Sequence, residues 1–183
     1  MKYLIQRITL FTLLISLGLT TAVFARDIGP YFSLSIGQSD YDTDISDFDK
    51  GASFSFGIGY SVSQYFALDL SYINFGDADD DIFPVWTLSA DAVVASVIGK
   101  IPFNQSVSGY GKIGLAKWDA ELEEEGFGTF ATNDGTDLTL GFGLLFTVNQ
   151  QLSGFVQYQM YELDFINVDV DVDNLSIGVQ FGF

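Results

Sequence analysis

The residues with chemistry to offer are carboxylates and a few lysines. The 183-residue chain carries 24 Asp and Glu against seven Lys and Arg, with no histidine and no cysteine. Without an imidazole there is no Ser-His-Asp triad, no histidine base and no histidine metal site. Without a thiol there is no disulfide framework and no thiolate nucleophile. Serines are plentiful, but none has a visible base. Hydrolysis by carboxylates alone needs one pair at a defined separation, and no spacing singles out a pair. The expectation is a non-enzyme with no cofactor. A formal charge of −17 argues against nucleic acid as a partner.

The acids come in clusters. Asp40, Asp42, Asp44, Asp47 and Asp49 form the first, and Asp77, Asp79, Asp80 and Asp81 the second. Glu121, Glu123, Glu124 and Glu125 form the third, and Asp169, Asp171 and Asp173 alternate with valines in the fourth. Asp40-Tyr41-Asp42-Thr43-Asp44 matches the start of a calcium loop. However, Ile45 stands where an EF-hand needs glycine, and the downstream bidentate Glu is missing. Two readings remain. Asp40, Asp42, Asp44, Asp79, Asp80, Asp81, Asp169, Asp171 and Asp173 could hold Ca²⁺ or Mg²⁺ weakly. Alternatively, they form a solvated, mutually repelling surface.

The rest of the chain is built to position these clusters. Glycine (19 residues) and aromatics (16%) are abundant and proline is scarce, a β composition. Period-2 alternation predicts eight strands, near Tyr31–Asp40, Ala52–Ser61, Gln64–Phe75, Trp86–Pro102, Val107–Asp119, Thr136–Val148, Gln151–Phe165 and Asn174–Phe183. In the second strand Phe54, Phe56, Ile58 and Tyr60 alternate with Ser53, Ser55, Gly57 and Gly59. The fourth is apolar at both parities, so its register is open and a bulge is possible. Connections alternate. Val62-Ser63, Phe103–Ser106 and Asn149-Gln150 are short, whereas Tyr41–Gly51, Gly76–Val85, Ala120–Gly135 and Ile166–Asp173 are long.

The two faces separate membrane from water. A soluble barrel would carry charge on its outer face. Here one face is bulky Phe and Leu, the other is small and nearly uncharged, and the acids are pushed into the connections. A bilayer enforces that segregation. The expected fold is all-β: an eight-stranded antiparallel up-and-down transmembrane β-barrel. Tyr31, Phe32, Tyr60, Tyr65, Phe103, Phe146 and Phe183 at one end, with Tyr41, Tyr72, Phe75 and Trp86 at the other, are candidates for two aromatic girdles.

Asp69, Lys100 and Lys112, with Gln157, Gln159 and Gln180, are expected inside. Eight-stranded barrels are about filled by side chains. This set reads either as a polar plug or as a narrow ion path gated by Asp69 and Lys112. The alternating V-D-V-D-V-D run predicts that strands seven and eight rise above the bilayer, offering an edge for strand addition by a partner.

At the N-terminus, Lys2 and Arg7 precede an apolar stretch from Ile8 to Leu19, and Val23-Phe24-Ala25 supplies small residues at −3 and −1. This predicts a cleavable signal peptide over residues 1–25 and a barrel domain over 26–183.

The leader, the eight strands and the closing S-I-G-V-Q-F-G-F resemble the small OmpA-like and OmpX-like outer-membrane β-barrel families, as do G-F-V-Q-Y-Q-M-Y at Gly154–Tyr161 and V-I-G-K-I-P-F at Val97–Phe103. The resemblance implies an integral outer-membrane protein of a Gram-negative cell with both termini in the periplasm. It also implies that Tyr161, Val179, Phe181 and Phe183 serve as the signal read by the barrel-assembly machinery. Outer-membrane lipid, lipopolysaccharide and an unidentified extracellular ligand would be the partners. The role implied is envelope integrity, with adhesion or surface interaction through acidic loops. The alternative is a narrow channel for ions or small solutes. The resemblance is to the barrel alone, so the wall-tethering role of a periplasmic peptidoglycan-binding domain is not expected here.

Overall fold

The computed structural model describes residues 28–43, 50–80, 86–124, 128–165 and 168–183. The expected leader, Asp44, Asp47, Asp49, Asp81 and Glu125 lie outside the described residues. Eight strands close into one barrel in sequence order. They are β1 (Gly29–Thr43), β2 (Gly51–Ser61), β3 (Phe66–Asp80), β4 (Trp86–Pro102), β5 (Val107–Glu124), β6 (Gly128–Thr147), β7 (Leu152–Phe165) and β8 (Val168–Gly182). β1 and β8 seal the barrel antiparallel, from Tyr31 opposite Gly182 to Thr43 opposite Val170.

Alternation places the bulky residues outside. Ile36, Ile58, Leu115, Phe142 and Ile177 are each more than half exposed. An apolar face of that extent is unstable in water and stable against acyl chains. Crossing a bilayer takes about 9–11 tilted residues, but the strands run from 11 to 20. The barrel therefore projects well beyond the membrane at the loop end.

Those projections are where the sequence reading was short. Residues expected as loops continue as strand: β3 and β4 pair to Asp80 opposite Trp86, and β5 and β6 to Glu124 opposite Gly128. β7 and β8 pair up to Phe165 opposite Val168, the rise that the alternating V-D-V-D-V-D run predicts. Clustered acids signal water around a segment, and a hairpin standing in water satisfies that as well as a loop does.

The irregularity near β4 belongs to its neighbour. β4 pairs without interruption against β5, whereas the register shifts in β3 between Asn74 and Asp77. Gly76 sits there at φ +80°, a conformation that costs L side chains dearly. Its N–H donates to Asn74 Oδ1 at 3.2 Å, and a Cβ would strike the Ala52 backbone.

The three short turns share one design. Ser63, Asn104 and Asn149 each occupy the second position, and each side-chain oxygen accepts two backbone N–H groups just ahead, at 2.8–3.1 Å. Such local bonds let Ser and Asn hold a turn that would otherwise leave donors unpaired.

Inside, the walls are unequal. β1, β2 and β8 line the middle of the lumen largely with Ser and Gly, while β3 to β7, with Tyr31 and Tyr41 near the ends of β1, contribute most of the large side chains. Three expected girdle residues belong to this filling: Tyr31, Tyr41 and Phe75 are at most 4% exposed. All sit on the inward parity of their strands, and the rule that aromatics face lipid fails where a narrow barrel must fill its own interior. Phe32, Tyr60, Tyr65, Phe103, Phe146 and Phe183 are exposed at the turn end, as a girdle requires.

Candidate functional site

The lumen is polar at its middle. Lys112 Nζ donates to Asp69 Oδ1 at 2.9 Å, with both side chains almost wholly buried. Tyr31 donates its hydroxyl to Asp69 Oδ2 at 3.1 Å, and Gly59 makes room for the Tyr31 ring. Lys100 donates to Ser61 Oγ at 3.1 Å and lies 5.9 Å from the centre of the Tyr31 ring. A second chain runs from the Tyr110 hydroxyl to Gln157, from Gln157 to Gln159, from Gln159 to Thr139 and from Thr139 to the Met160 carbonyl, over 2.7–3.2 Å. Asn174 donates to Ser39 and Ser53. Asp69, Lys100 and Lys112 thus share one cavity of about 50 Å³ with Gln157, Gln159 and Gln180. That is room for a few waters and not for a solute.

Tyr110, Thr139 and Asn174 were not singled out from sequence, and Tyr31 was expected in a girdle. Inward parity was the signal for each, once the rule that aromatics face lipid is dropped.

Towards the loop end the lumen is shut by a dry layer. Phe75, Trp118 and Val172 are fully buried, packed with Tyr41, Ile73, Val94 and Tyr161. Alanines 90, 92, 116 and 120 give the large rings space. Phe75 meets Tyr161 edge-on with centroids 4.8 Å apart, a favoured aromatic geometry. Trp118 Nε1 donates to Asp137 Oδ2 at 2.6 Å, and the Tyr41 hydroxyl to the Gly76 carbonyl at 2.9 Å. At the turn end, the inward side chains of Lys100, Tyr110, Phe155 and Gln180 are partly buried. Tyr31, Ala67 and Ile98 form a second buried cluster at that end, with Tyr110 packed against it.

Tyr161, grouped by sequence with the assembly signal, is a buried member of this cap on β7. Val179, Phe181 and Phe183 lie apart from it on the outer face at the turn end. There the Phe32, Phe181 and Phe183 rings cluster with centroids 5.3–6.0 Å apart. The Phe183 N–H donates to the Pro30 carbonyl at 3.1 Å.

Above the cap the wall opens. β6 pairs with β5 along its whole projection, as far as Gly128 opposite Glu124. It pairs with β7 only from Thr139, opposite Tyr161, downwards. Among the described residues, no strand covers the other side of β6 from residue 128 to residue 138. β7 continues past Tyr161 against β8 alone.

Carboxylates border this region. Asp134 on the β6 side and Glu162 and Asp171 on the other are exposed. The register sets Asp119 between Asp91 and Asp134, Asp171 between Asp42 and Glu162, and Asp40 opposite Asp173. Opposed like charges destabilise a ladder, and they persist here in water, where screening is strong. Lys50 pairs with Asp40 at 2.6 Å in an exposed setting. Of the candidate cation ligands, Asp40, Asp42, Asp79, Asp80, Asp169, Asp171 and Asp173 lie in strands, and Asp44 and Asp81 lie outside the described residues. Among the described residues, no three acids converge as a metal site requires.

The description "Outer membrane protein beta-barrel domain" fits residues 11–183 as a family model. The chain belongs to this family of outer-membrane β-barrels and is an integral outer-membrane protein. Its fold is shared with several solved structures. Neisserial surface protein A is 19% identical with a TM-score of 0.69, covering 85% of this chain and 97% of that one. Ail, the attachment invasion locus protein of Yersinia pestis, is 22% identical with a TM-score of 0.55, covering 84% and 99%. OprG from Pseudomonas aeruginosa is 12% identical with a TM-score of 0.58, covering 86% and 97%. No curated protein sequence matches the chain.

Proposed function

We propose that this chain is a non-catalytic, non-conducting surface protein that recruits an extended, cationic segment of a partner onto the open edge of β6. The observation that carries this reading is the one-sided pairing of β6 from residue 128 to residue 138. An unpaired edge presents a row of backbone donors and acceptors that a strand can complete. With the turns and both termini on the periplasmic side, that edge stands outside the cell. The buried cap of Phe75, Trp118 and Tyr161 weighs against the alternative of a narrow channel.

The charge around the edge selects the partner. About four new backbone bonds at about 1 kcal/mol each correspond to only about millimolar binding. The carboxylates must supply the rest, and they favour Lys and Arg. Ail has been crystallised with the heparin analogue sucrose octasulfate, an anion. The acidic rim here points to the opposite charge.

The test uses the refolded protein in nanodiscs and a fluorescent decapeptide of alternating Lys and Val. In the first variant Asn-Gly replaces Ala120–Asn133, joining Asp119 to its register partner Asp134. The second variant is Asp134→Lys. Wild type should bind the peptide with a strong salt dependence, and a peptide with a central proline should bind far less. Both variants should lose most of the affinity. Equal binding by the proline peptide, or by both variants, would refute strand addition at β6.

A further inference from the structure

The lipid-facing wall is unevenly covered. Phe66 of β3, Gly99 of β4, Gly111 of β5 and Phe142 of β6 follow one another along a single row of the ladder. All four are on the outward parity of their strands, as are the exposed Val97 and Ile113 beside the glycines. Two neighbouring strands thus present bare backbone between two exposed phenylalanine rings. The groove there has a volume of about 460 Å³, within the roughly 300–1,000 Å³ of small-molecule sites. Its walls also include Val97, Ile113, Leu140 and Met160.

Nothing inside the chain requires these two glycines. A strand keeps a glycine for a positive φ or for the close approach of a neighbour. Gly76 shows the first reason. Gly109 and Gly143 show the second, since a Cβ would strike the Phe103 ring at one and the Tyr110 ring at the other. Neither Gly99 nor Gly111 has a positive φ. A Cβ on Gly99 would meet nothing within 4 Å, and one on Gly111 would meet only the Gly141 carbonyl oxygen, at 4.0 Å. Glycine without such a role weakens a strand, so the space they leave calls for an occupant from outside the chain. Gly154 has similar room on the lipid face, but it stands singly between Phe146 and Val179.

We infer that this groove seats one acyl chain of a membrane phospholipid and holds it longer than the lipid around it. The occupant follows from the groove's place in the fold. It interrupts the apolar wall that an integral outer-membrane barrel turns to lipid, so acyl chains are what meets it. Gly111 lies four residues into β5 from Val107, about 10 Å above the turn for a tilted strand. That depth is within the hydrocarbon, above the exposed Tyr65 and Phe103 at the turn end. Water is absent there, and an empty groove would deprive its walls of dispersion contacts. A chain laid between Phe66 and Phe142 restores them. Without side chains on Gly99 and Gly111 it reaches the backbone of the ladder, which the bulky wall elsewhere prevents.

The experiment is native mass spectrometry of the refolded protein ejected from nanodiscs of dimyristoylphosphatidylcholine. Wild type is compared with a double variant, Gly99→Leu with Gly111→Leu, which fills the groove. Gly154→Leu places the same side chain on the lipid face outside it. The added side chains point into open space, and heat-shifted gel mobility shows that each protein is folded. Wild type and Gly154→Leu should keep one lipid at collision energies that strip the rest, and the double variant should lose it. Crystals grown with phospholipid brominated on its chain should show bromine between Phe66 and Phe142. No retained lipid in wild type, equal retention in all the proteins, or no bromine in the groove would overturn the assignment. A dimer that the double variant abolishes would overturn it too, because a second copy of the chain would then fill the groove.

Discussion

Asp69→Asn is expected to destabilise the barrel by about 3–5 kcal/mol, the usual consequence of removing one partner from a buried ion pair. The substitution leaves Lys112 buried in the lumen without its carboxylate partner. Lys112→Met should cost less, because Asp69 keeps the Tyr31 hydroxyl, and Lys100 lies against that same ring. The double variant should recover much of the loss, since replacing both charges removes both desolvation penalties. Urea unfolding in lipid vesicles, followed by tryptophan fluorescence, gives the four stabilities of the cycle. Single variants within about 1 kcal/mol of wild type would mean that the pair is solvated, which contradicts the closed lumen.

The second large effect concerns the cap. Phe75→Ala and Trp118→Ala each remove a fully buried ring, and each should cost about 3–5 kcal/mol. Their combined effect is more than a loss of stability. The layer they form is what separates the serine-lined chamber from the loop end. The double variant should therefore pass ions in a planar bilayer, in discrete steps, while wild type stays silent. Trp118→Ala also leaves Asp137 without its indole donor, placing a carboxylate at the new opening and favouring cations. A conducting wild type would show that the cap does not close the barrel. A silent double variant would show that the cap is not the seal.

How much of this was legible in the sequence differs from element to element. Phe54 to Ser61 announced an outward apolar face and an inward small one, and β2 is built that way because period-2 alternation has no other solution in a membrane. Asp69 and Lys112 were legible as inward charges, since they break an otherwise neutral parity. Their meeting at 2.9 Å was not, because registers between strands distant in sequence depend on where each turn ends. The cap was misread. Tyr41, Phe75 and Tyr161 in the cap, like Tyr31 at the turn end, carry the same side-chain types as the lipid face, and only parity within a correctly bounded strand separates them. The projection of β5 and β6 was hidden by its acids and glycines, which favour water without excluding a ladder. The open edge follows from the greater length of β6, and strand length was the quantity that alternation fixed least well.

Amide hydrogen exchange of the protein in nanodiscs, read residue by residue along β6 with and without the Lys-Val peptide, tests the recruiting edge most directly. In the free protein, amides between residues 128 and 138 that point towards β5 should be slow, and those on the open side fast. Adding the peptide should slow the open-side amides and leave the opposite wall of the barrel unchanged. If all these amides are already slow in the free protein, or if the peptide leaves the open-side amides fast, the edge is not a recruiting surface and the proposed function fails.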